Sequence, residues 1–60
     1  GYFRYAMVDG KRVGDVVKLK PDWGGGYVFN EEWHDGKRGV QIGAHTLADL
    51  KKKIADHYQN

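Results

Sequence analysis

The chain has 60 residues, no cysteine and a net charge of +2, which limits it to one small domain without disulfide bonds or thiolate metal sites. It has no run of about 18 apolar residues, so the sequence predicts no membrane span and a cytoplasmic protein. The basic residues are concentrated in positions 1–20 and 37–60, whereas residues 21–36 carry four acidic side chains and no basic one. This distribution excludes a uniformly basic coat for nucleic acid.

The first predicted element is a β-hairpin in residues 2–20. Its first strand alternates apolar with polar or small side chains, the pattern of a strand with one buried face; the apolar positions are Phe3, Tyr5 and Met7. Asp9-Gly10 favours positive φ and closes a tight turn. Gly14, inside the second strand, is typical of a bulge.

Two turn lengths fit the dipeptide Asp9-Gly10, and they give different registers. A two-residue turn sets Met7 opposite Arg12. A three-residue loop that includes Lys11 sets Met7 opposite Val13 and collects the apolar side chains of both strands on one face. We therefore expect the three-residue loop.

A connector occupies residues 21–26. Pro21 removes a hydrogen-bond donor, and the three glycines at 24–26 lack side chains for a sheet. Trp23 lies in this connector. A tryptophan in such a loop more often covers the core of a small domain than binds a ligand, so we expect Trp23 to fold back on the core.

The second predicted hairpin repeats the tetrapeptide of positions 9–12, Asp-Gly-Lys-Arg, at positions 35–38. A two-residue turn at the Asp-Gly step sets Phe29 opposite Ile42. The same register brings Trp33 opposite Arg38, a pair suited to a cation–π contact.

The last predicted element is a helix that begins after Thr46, a good N-cap, with Asp49 three residues later in a variant of the capping box. Its apolar stripe must bury against the sheet; the stripe consists of Leu47, Leu50, Ile54 and Tyr58. The predicted fold is α+β, with an antiparallel three- or four-stranded sheet packed against one C-terminal helix in the order β-β-β-β-α. The parts of this single domain are a first hairpin (2–20), a connector (21–26), a second hairpin (27–43) and a helix (46–58).

The side chains needed for common enzyme chemistry are missing or badly spaced. The chain has no serine or cysteine nucleophile, and none of its three histidines is spaced to share a metal with another. Glu31 and Glu32 are neighbours on a strand and point to opposite faces, so they do not form an acid–base pair. We expect a protein that is not an enzyme and that binds no metal and no cofactor.

Basic and amide side chains point to double-stranded DNA as the expected partner, because cations contact phosphates and amides read base edges. The first strand pair is expected to carry its cations on the sheet face away from the helix. The candidate nucleic-acid-binding residues are Arg4, Arg12, Lys18, Lys20, Lys37, Arg38, Asn30 and Gln41. Of these, Arg12, Asn30 and Gln41 are the candidates for sequence specificity.

The alternative is a protein-interaction or oligomerisation module, an adaptor or inhibitor, that uses exposed aromatic and aliphatic side chains. A homodimer fits this alternative, since a chain of this length buries only about 60% of its unfolded surface. The candidate protein-contact residues are Tyr2, Trp23, Val28 and Trp33.

From Gly26 to Tyr58, the chain resembles the small DNA-binding domains of the AP2 and integrase arm-binding type. The matching features are the Asp-Gly-Lys-Arg turn at 35–38, Gly43 before the helix, and a threonine-initiated helix with Ala48 and Leu50. The resemblance implies a three-stranded antiparallel sheet with a helix behind it, and a sheet that enters the DNA major groove. An additional N-terminal hairpin precedes the match.

Overall fold

The computed structural model describes residues 3–59, with the backbone alone of Phe3. The elements in chain order are β1 (Phe3–Val8), β2 (Lys11–Lys18), a 3₁₀ helix (Pro21–Trp23), β3 (Tyr27–Glu31), β4 (Gln41–Ala44) and α1 (Leu47–Tyr58). The strands form one antiparallel sheet in the order β1-β2-β3-β4. This confirms the predicted α+β class and the order β-β-β-β-α, with four strands rather than three.

One face of the sheet is packed against α1, which contacts β3 and β4 most closely. The buried core between the layers consists of Ala6, Val16, Phe29, Leu50 and Ile54. The other side of the sheet is called the open face here. Within residues 3–59, no helix is long and apolar enough to cross a membrane.

The second hairpin has the predicted register. Phe29 pairs with Ile42, and His34 and Lys37 exchange two backbone hydrogen bonds of 2.9 Å around the turn. Asp35 and Gly36 have φ of 53° and 75°, as a two-residue hairpin turn with two left-handed residues requires. The predicted two-residue turn is confirmed.

The first hairpin has the same two-residue turn, so the expected three-residue loop is wrong. Val8 pairs with Lys11, and Asp9 and Gly10 have φ of 51° and 79°. The extra residue appears one step later as a bulge at Val13, between the Met7–Arg12 and Ala6–Gly14 pairs. A two-residue turn with two left-handed residues matches the twist of the strands. The bulge accommodates the one-residue offset between this turn and the rest of the β1–β2 pairing.

The face assigned to β1 is also wrong. Val16, not Val17, pairs with Phe29, so Ala6 lies on the helix side, whereas Tyr5 and Met7 lie on the open face and are each 58% exposed. The cause is Gly14: a Cβ there would lie 2.7 Å from Phe29 Cε1 and 2.2 Å from the Asn30 carbonyl oxygen. Only glycine fits beneath Phe29, and this fixes the phase of β2.

The helix begins as predicted, because the Thr46 side chain accepts a hydrogen bond of 3.1 Å from the Asp49 backbone N–H. Leu50 is fully buried and Ile54 is 9% exposed. The ring of Tyr58 packs edge-on against Phe29 with centroids 6.4 Å apart. The apolar stripe therefore meets the sheet as expected.

Glu31 ties the end of α1 to the sheet. Its carboxylate accepts a short hydrogen bond from the Tyr58 hydroxyl and one of 3.1 Å from the Val40 N–H, and lies 3.4 Å from His57 Nε2. The Tyr58 bond is the main cause that lowers the pKa of Glu31. Burial, together with the Glu31 carboxylate, raises the pKa of Tyr58.

Candidate nucleic-acid interface

The two Asp-Gly-Lys-Arg turns lie at the same end of the sheet. β1 and β3 run in the same direction because each is antiparallel to β2, so both hairpins turn at one end, called the tip end. The connector and the start of α1 lie at the opposite, connector end. Adjacent hairpins are separated by two strand spacings, about 10 Å. The tip surface is defined as Lys11, Arg12, Trp33, Lys37 and Arg38.

The second hairpin forms an arm that continues beyond β3. Glu31 N–H donates to the Val40 carbonyl at 2.9 Å, residues 32–33 and 38–40 form no strand, and His34 and Lys37 form an isolated bridge next to the turn. Gly39 allows the two sides to approach closely, since a Cβ there would lie 2.3 Å from the Glu31 carbonyl oxygen. The arm carries Trp33, which is 67% exposed.

Arg12 joins the two hairpins at the tip end. Its Nε and Nη2 atoms each lie 2.6 Å from Glu32 Oε1, and its guanidinium lies 4.7 Å from the ring centroid of Tyr5. The hydrogen bond to Glu32 is the main cause that raises the pKa of Arg12. The cation–π contact predicted between Arg38 and Trp33 is absent within residues 3–59.

Three other cations of the tip surface are exposed and unpaired. Lys11, Lys37 and Arg38 make no ion pair within residues 3–59. Of the acidic side chains at this end, Glu32 binds Arg12, whereas Asp9 and Asp35 are exposed in the two turns. The tip surface can therefore present positive charge to a polyanion.

The remaining predicted cations lie elsewhere. Arg4 pairs with Val16 and so lies on the helix side of the sheet. Lys18 is two residues after Val16 on β2 and lies on the same side. Lys20 comes after β2 at the connector end, where its carbonyl accepts hydrogen bonds from the connector. The expectation that Arg4, Lys18 and Lys20 share the face away from the helix is wrong for the first two because Gly14 shifts the phase of β2.

Asn30 and Gln41 lie on the open face, as expected, and bind each other. The Gln41 Nε2 group donates to Asn30 Oδ1 at 2.8 Å. Asp15 occupies the next position in the same cross-strand row. A carboxylate beside the amides weakens this row as a contact for DNA.

The predicted protein-contact residues do not form one surface. Trp23 is 73% exposed in the 3₁₀ helix, so the expectation that it covers the core is wrong. Trp33 lies at the tip end, Val28 is half-buried on the open face, and Tyr2 is outside the described residues. Sequence reasoning missed Lys11 as a candidate, although it occupies the position in the first turn that Lys37 occupies in the second.

Comparison of the chain with protein-family models, with curated proteins and with solved structures finds no match in any of the three. The resemblance of residues 26–58 to AP2 and integrase arm-binding domains therefore stays a prediction from the sequence.

Proposed function

We propose that the protein is a non-enzymatic module that binds double-stranded DNA through the tip surface. The observation that carries this proposal is the placement of both Asp-Gly-Lys-Arg turns at one end of the sheet. Lys11, Lys37 and Arg38 are exposed there without an ion-pair partner among the described residues. Such cations can neutralise phosphates and release the counterions that surround DNA, which is the main source of non-specific affinity.

The arm of the second hairpin has a shape suited to a groove of DNA. The major groove, about 12 Å wide, admits a two-stranded β-ribbon. With the arm against the duplex, Lys37 and Arg38 contact phosphates beside the groove. The first hairpin lies about 10 Å away, so that Lys11 meets the neighbouring backbone. Asn30 and Gln41 lie in β3 and β4, outside the arm. The proposed DNA contacts are therefore to phosphates rather than to bases.

The test compares two double variants that remove the same charge. Lys37→Ala with Arg38→Ala changes the tip surface, whereas Lys18→Ala with Lys20→Ala changes the connector end. Binding to a random-sequence duplex is measured by fluorescence anisotropy at several salt concentrations. We expect the tip variant to bind at least about tenfold more weakly at low salt, with a slope of log K against log salt smaller by about 2.

The connector-end variant is the control and is expected to keep most of the affinity and the slope. Equal losses of affinity in the two variants would show that DNA binds elsewhere or that the affinity depends only on the net charge of the protein. If the unaltered protein does not bind duplex DNA at low salt, or if its affinity does not fall as salt rises, the proposal is wrong. Circular dichroism of each variant checks that the fold is retained.

Trp33 provides a second readout at the same site. In a Trp23→Phe background it is the only tryptophan, so its fluorescence reports the arm alone. We expect saturable quenching of Trp33 fluorescence when duplex DNA is added, because DNA at the contact changes the surroundings of this exposed ring. An unchanged Trp33 signal during saturable binding would exclude the arm from the interface.

A second candidate function is contact with another copy of the chain through the open face. The observation that favours it is the exposure of Tyr5 and Met7, beside the half-buried Val17 and Val28. Tyrosine and methionine are enriched in protein interfaces. Sedimentation equilibrium that shows a concentration-dependent mass, abolished by Met7→Asp, would support this function. A monomer at all concentrations would exclude it.

A further inference from the structure

Trp33 is a large aromatic side chain that the fold leaves uncovered. It is 67% exposed, although tryptophan is on average a highly buried residue. Within residues 3–59, its ring makes no aromatic contact and no cation–π contact. Most of the indole surface is therefore available to a ligand.

The backbone on both sides of Trp33 is held in place. On one side, the Glu32 N–H donates to the Val13 carbonyl at 2.9 Å, which ties the arm to β2. On the other side, His34 and Lys37 exchange two backbone hydrogen bonds of 2.9 Å. The exposed ring is carried by a restrained segment, so a ligand that binds it does not have to order the chain first.

The net charge around Trp33 is small. The two turns and the arm carry four cations against three carboxylates, which leaves +1 with histidine neutral. The cations are Lys11, Arg12, Lys37 and Arg38, and the carboxylates are Asp9, Glu32 and Asp35. Affinity for phosphates alone is modest on such a surface, and a contact that does not depend on phosphates adds to it.

An aromatic ring can supply that contact only where the face of a base is free. Inside a paired duplex, both faces of each base are covered by its neighbours, and taking a base out of the stack costs about as much as stacking it on a side chain returns. At a bulge, or where a single strand joins a duplex, this cost is small because the base is already unpaired. Stacking then strengthens binding in full.

We propose that Trp33 stacks on an unpaired base, so that the tip surface prefers duplex DNA interrupted by unpaired nucleotides to fully paired DNA. This inference rests on the proposed DNA-binding function and names the form of DNA that the site selects. Lys37 and Arg38, exposed on the same arm, bind the phosphates that flank the unpaired base.

Trp23 provides the internal comparison. It is 73% exposed, but it lies in the 3₁₀ helix at the connector end. An exposed indole is therefore present at both ends of the sheet, and only Trp33 lies in the tip surface. Replacing either tryptophan by alanine removes the same side chain from an exposed position.

The test uses two duplexes of about two helical turns that differ only in a central bulge of unpaired thymines. Fluorescence anisotropy at low salt measures their affinities. We expect the unaltered protein to bind the bulged duplex about tenfold more tightly than the paired one. Trp33→Ala should abolish this preference and change affinity for the paired duplex by less than about twofold, whereas Trp23→Ala should keep the preference.

Two further variants test whether the contact is a stacked one. Trp33→Phe keeps an aromatic face and is expected to retain most of the preference, whereas Trp33→Leu keeps only an apolar side chain and should lose it. A fluorescent base analogue that is quenched by stacking replaces one thymine of the bulge. We expect its signal to fall when the unaltered protein binds and to stay unchanged with Trp33→Leu.

The outcomes separate this inference from the proposed function. Equal affinity for the two duplexes would overturn the role of Trp33 while leaving DNA binding through Lys37 and Arg38 intact. A preference that survives Trp33→Ala, or that Trp23→Ala reduces equally, would also overturn it. Failure of the unaltered protein to bind either duplex would overturn the proposed function and this inference together.

Discussion

The two hairpins share the tetrapeptide Asp-Gly-Lys-Arg and the same turn, yet their strands pair differently beyond the turn. In both, the Asp-Gly residues are left-handed, with φ of 51° and 79° in the first and 53° and 75° in the second. In the second hairpin, β3 and β4 pair without a bulge, and residues 32–33 and 38–40 separate this pairing from the isolated His34–Lys37 bridge at the turn. The first is interrupted by a bulge and presents the opposite face to that expected.

A turn sequence therefore determines the local pairing but not which face of the strands becomes the core. The second hairpin leads directly into α1, and the apolar pair Phe29 and Ile42 determines the side on which the helix packs. The first hairpin is oriented only by its pairing with β3. There Gly14 is the residue that fits beneath Phe29, and it sets the phases of β2 and β1.

The largest expected effect tests this role of Gly14. Gly14→Ala places a Cβ 2.2 Å from the Asn30 carbonyl oxygen, so the strands must move apart, and we expect the free energy of unfolding to fall by about 3 kcal/mol. Urea denaturation followed by circular dichroism measures the change. The matched control is Gly43→Ala, whose Cβ would lie 3.8 Å from the nearest atom. Similar losses in both variants would show that Gly14 does not set the phase.

A second comparison uses two adjacent valines of β2. Val16 is 7% exposed in the core, whereas Val17 is half-buried on the open face. We expect Val16→Ala to cost about 2 kcal/mol of unfolding free energy and Val17→Ala less than about 1 kcal/mol. Thermal and urea unfolding of the two variants measure the difference. A larger loss of unfolding free energy for Val17→Ala than for Val16→Ala would instead support the buried face that the alternation of Tyr5 and Met7 predicts.

Local signals predicted the second hairpin and the helix well. The dipeptide Asp35-Gly36 specified the turn of the second hairpin, and Thr46 specified the N-cap of α1. Both the turn and the N-cap depend on residues close in sequence. The face of β1 depends on a contact between distant residues. β2 carries valines in both phases, at positions 16 and 17, so the apolar pattern did not decide between them.

The candidate site was predicted only in part for the same reason. Arg12, Lys37 and Arg38 were identified from the sequence as possible phosphate contacts, and they lie in the tip surface. The two turns share one end because of the strand order, which no local pattern specifies. Arg4 and Lys18 were placed on the wrong face because their position depends on the phase of β2.

The polar tie between the second hairpin and the helix predicts a dependence of stability on pH. The pKa of Glu31 is lowered in the folded protein, chiefly by the Tyr58 hydrogen bond, relative to about 4.3 in an unfolded chain. Its stabilising contribution is therefore complete above about pH 4.3 and is lost as pH falls through the folded pKa. We expect Glu31→Gln to cost about 1 kcal/mol at neutral pH and to reduce the loss of stability in acid.

Urea unfolding at a series of pH values between neutral and acid measures this dependence. Glu32→Gln is the control, because it removes an adjacent carboxylate that is exposed and binds Arg12 instead of the helix. We expect a smaller change in unfolding free energy and an acid loss close to that of the unaltered protein. Identical pH profiles for Glu31→Gln and the unaltered protein would show that this carboxylate does not stabilise the fold.

The smallest expected effect concerns the turns themselves. Gly10 and Gly36 have φ of 79° and 75°, and a Cβ on either would meet nothing within 4 Å. The cost of Gly10→Ala or Gly36→Ala is therefore the conformational strain alone, about 1 kcal/mol in each hairpin. Asn tolerates this conformation better, so the Asn variants should lose less. Equal losses in urea unfolding would show that the turns are equivalent and that the difference between the hairpins begins at the bulge. A loss confined to Gly36→Ala would mean that the first turn is not held in this conformation.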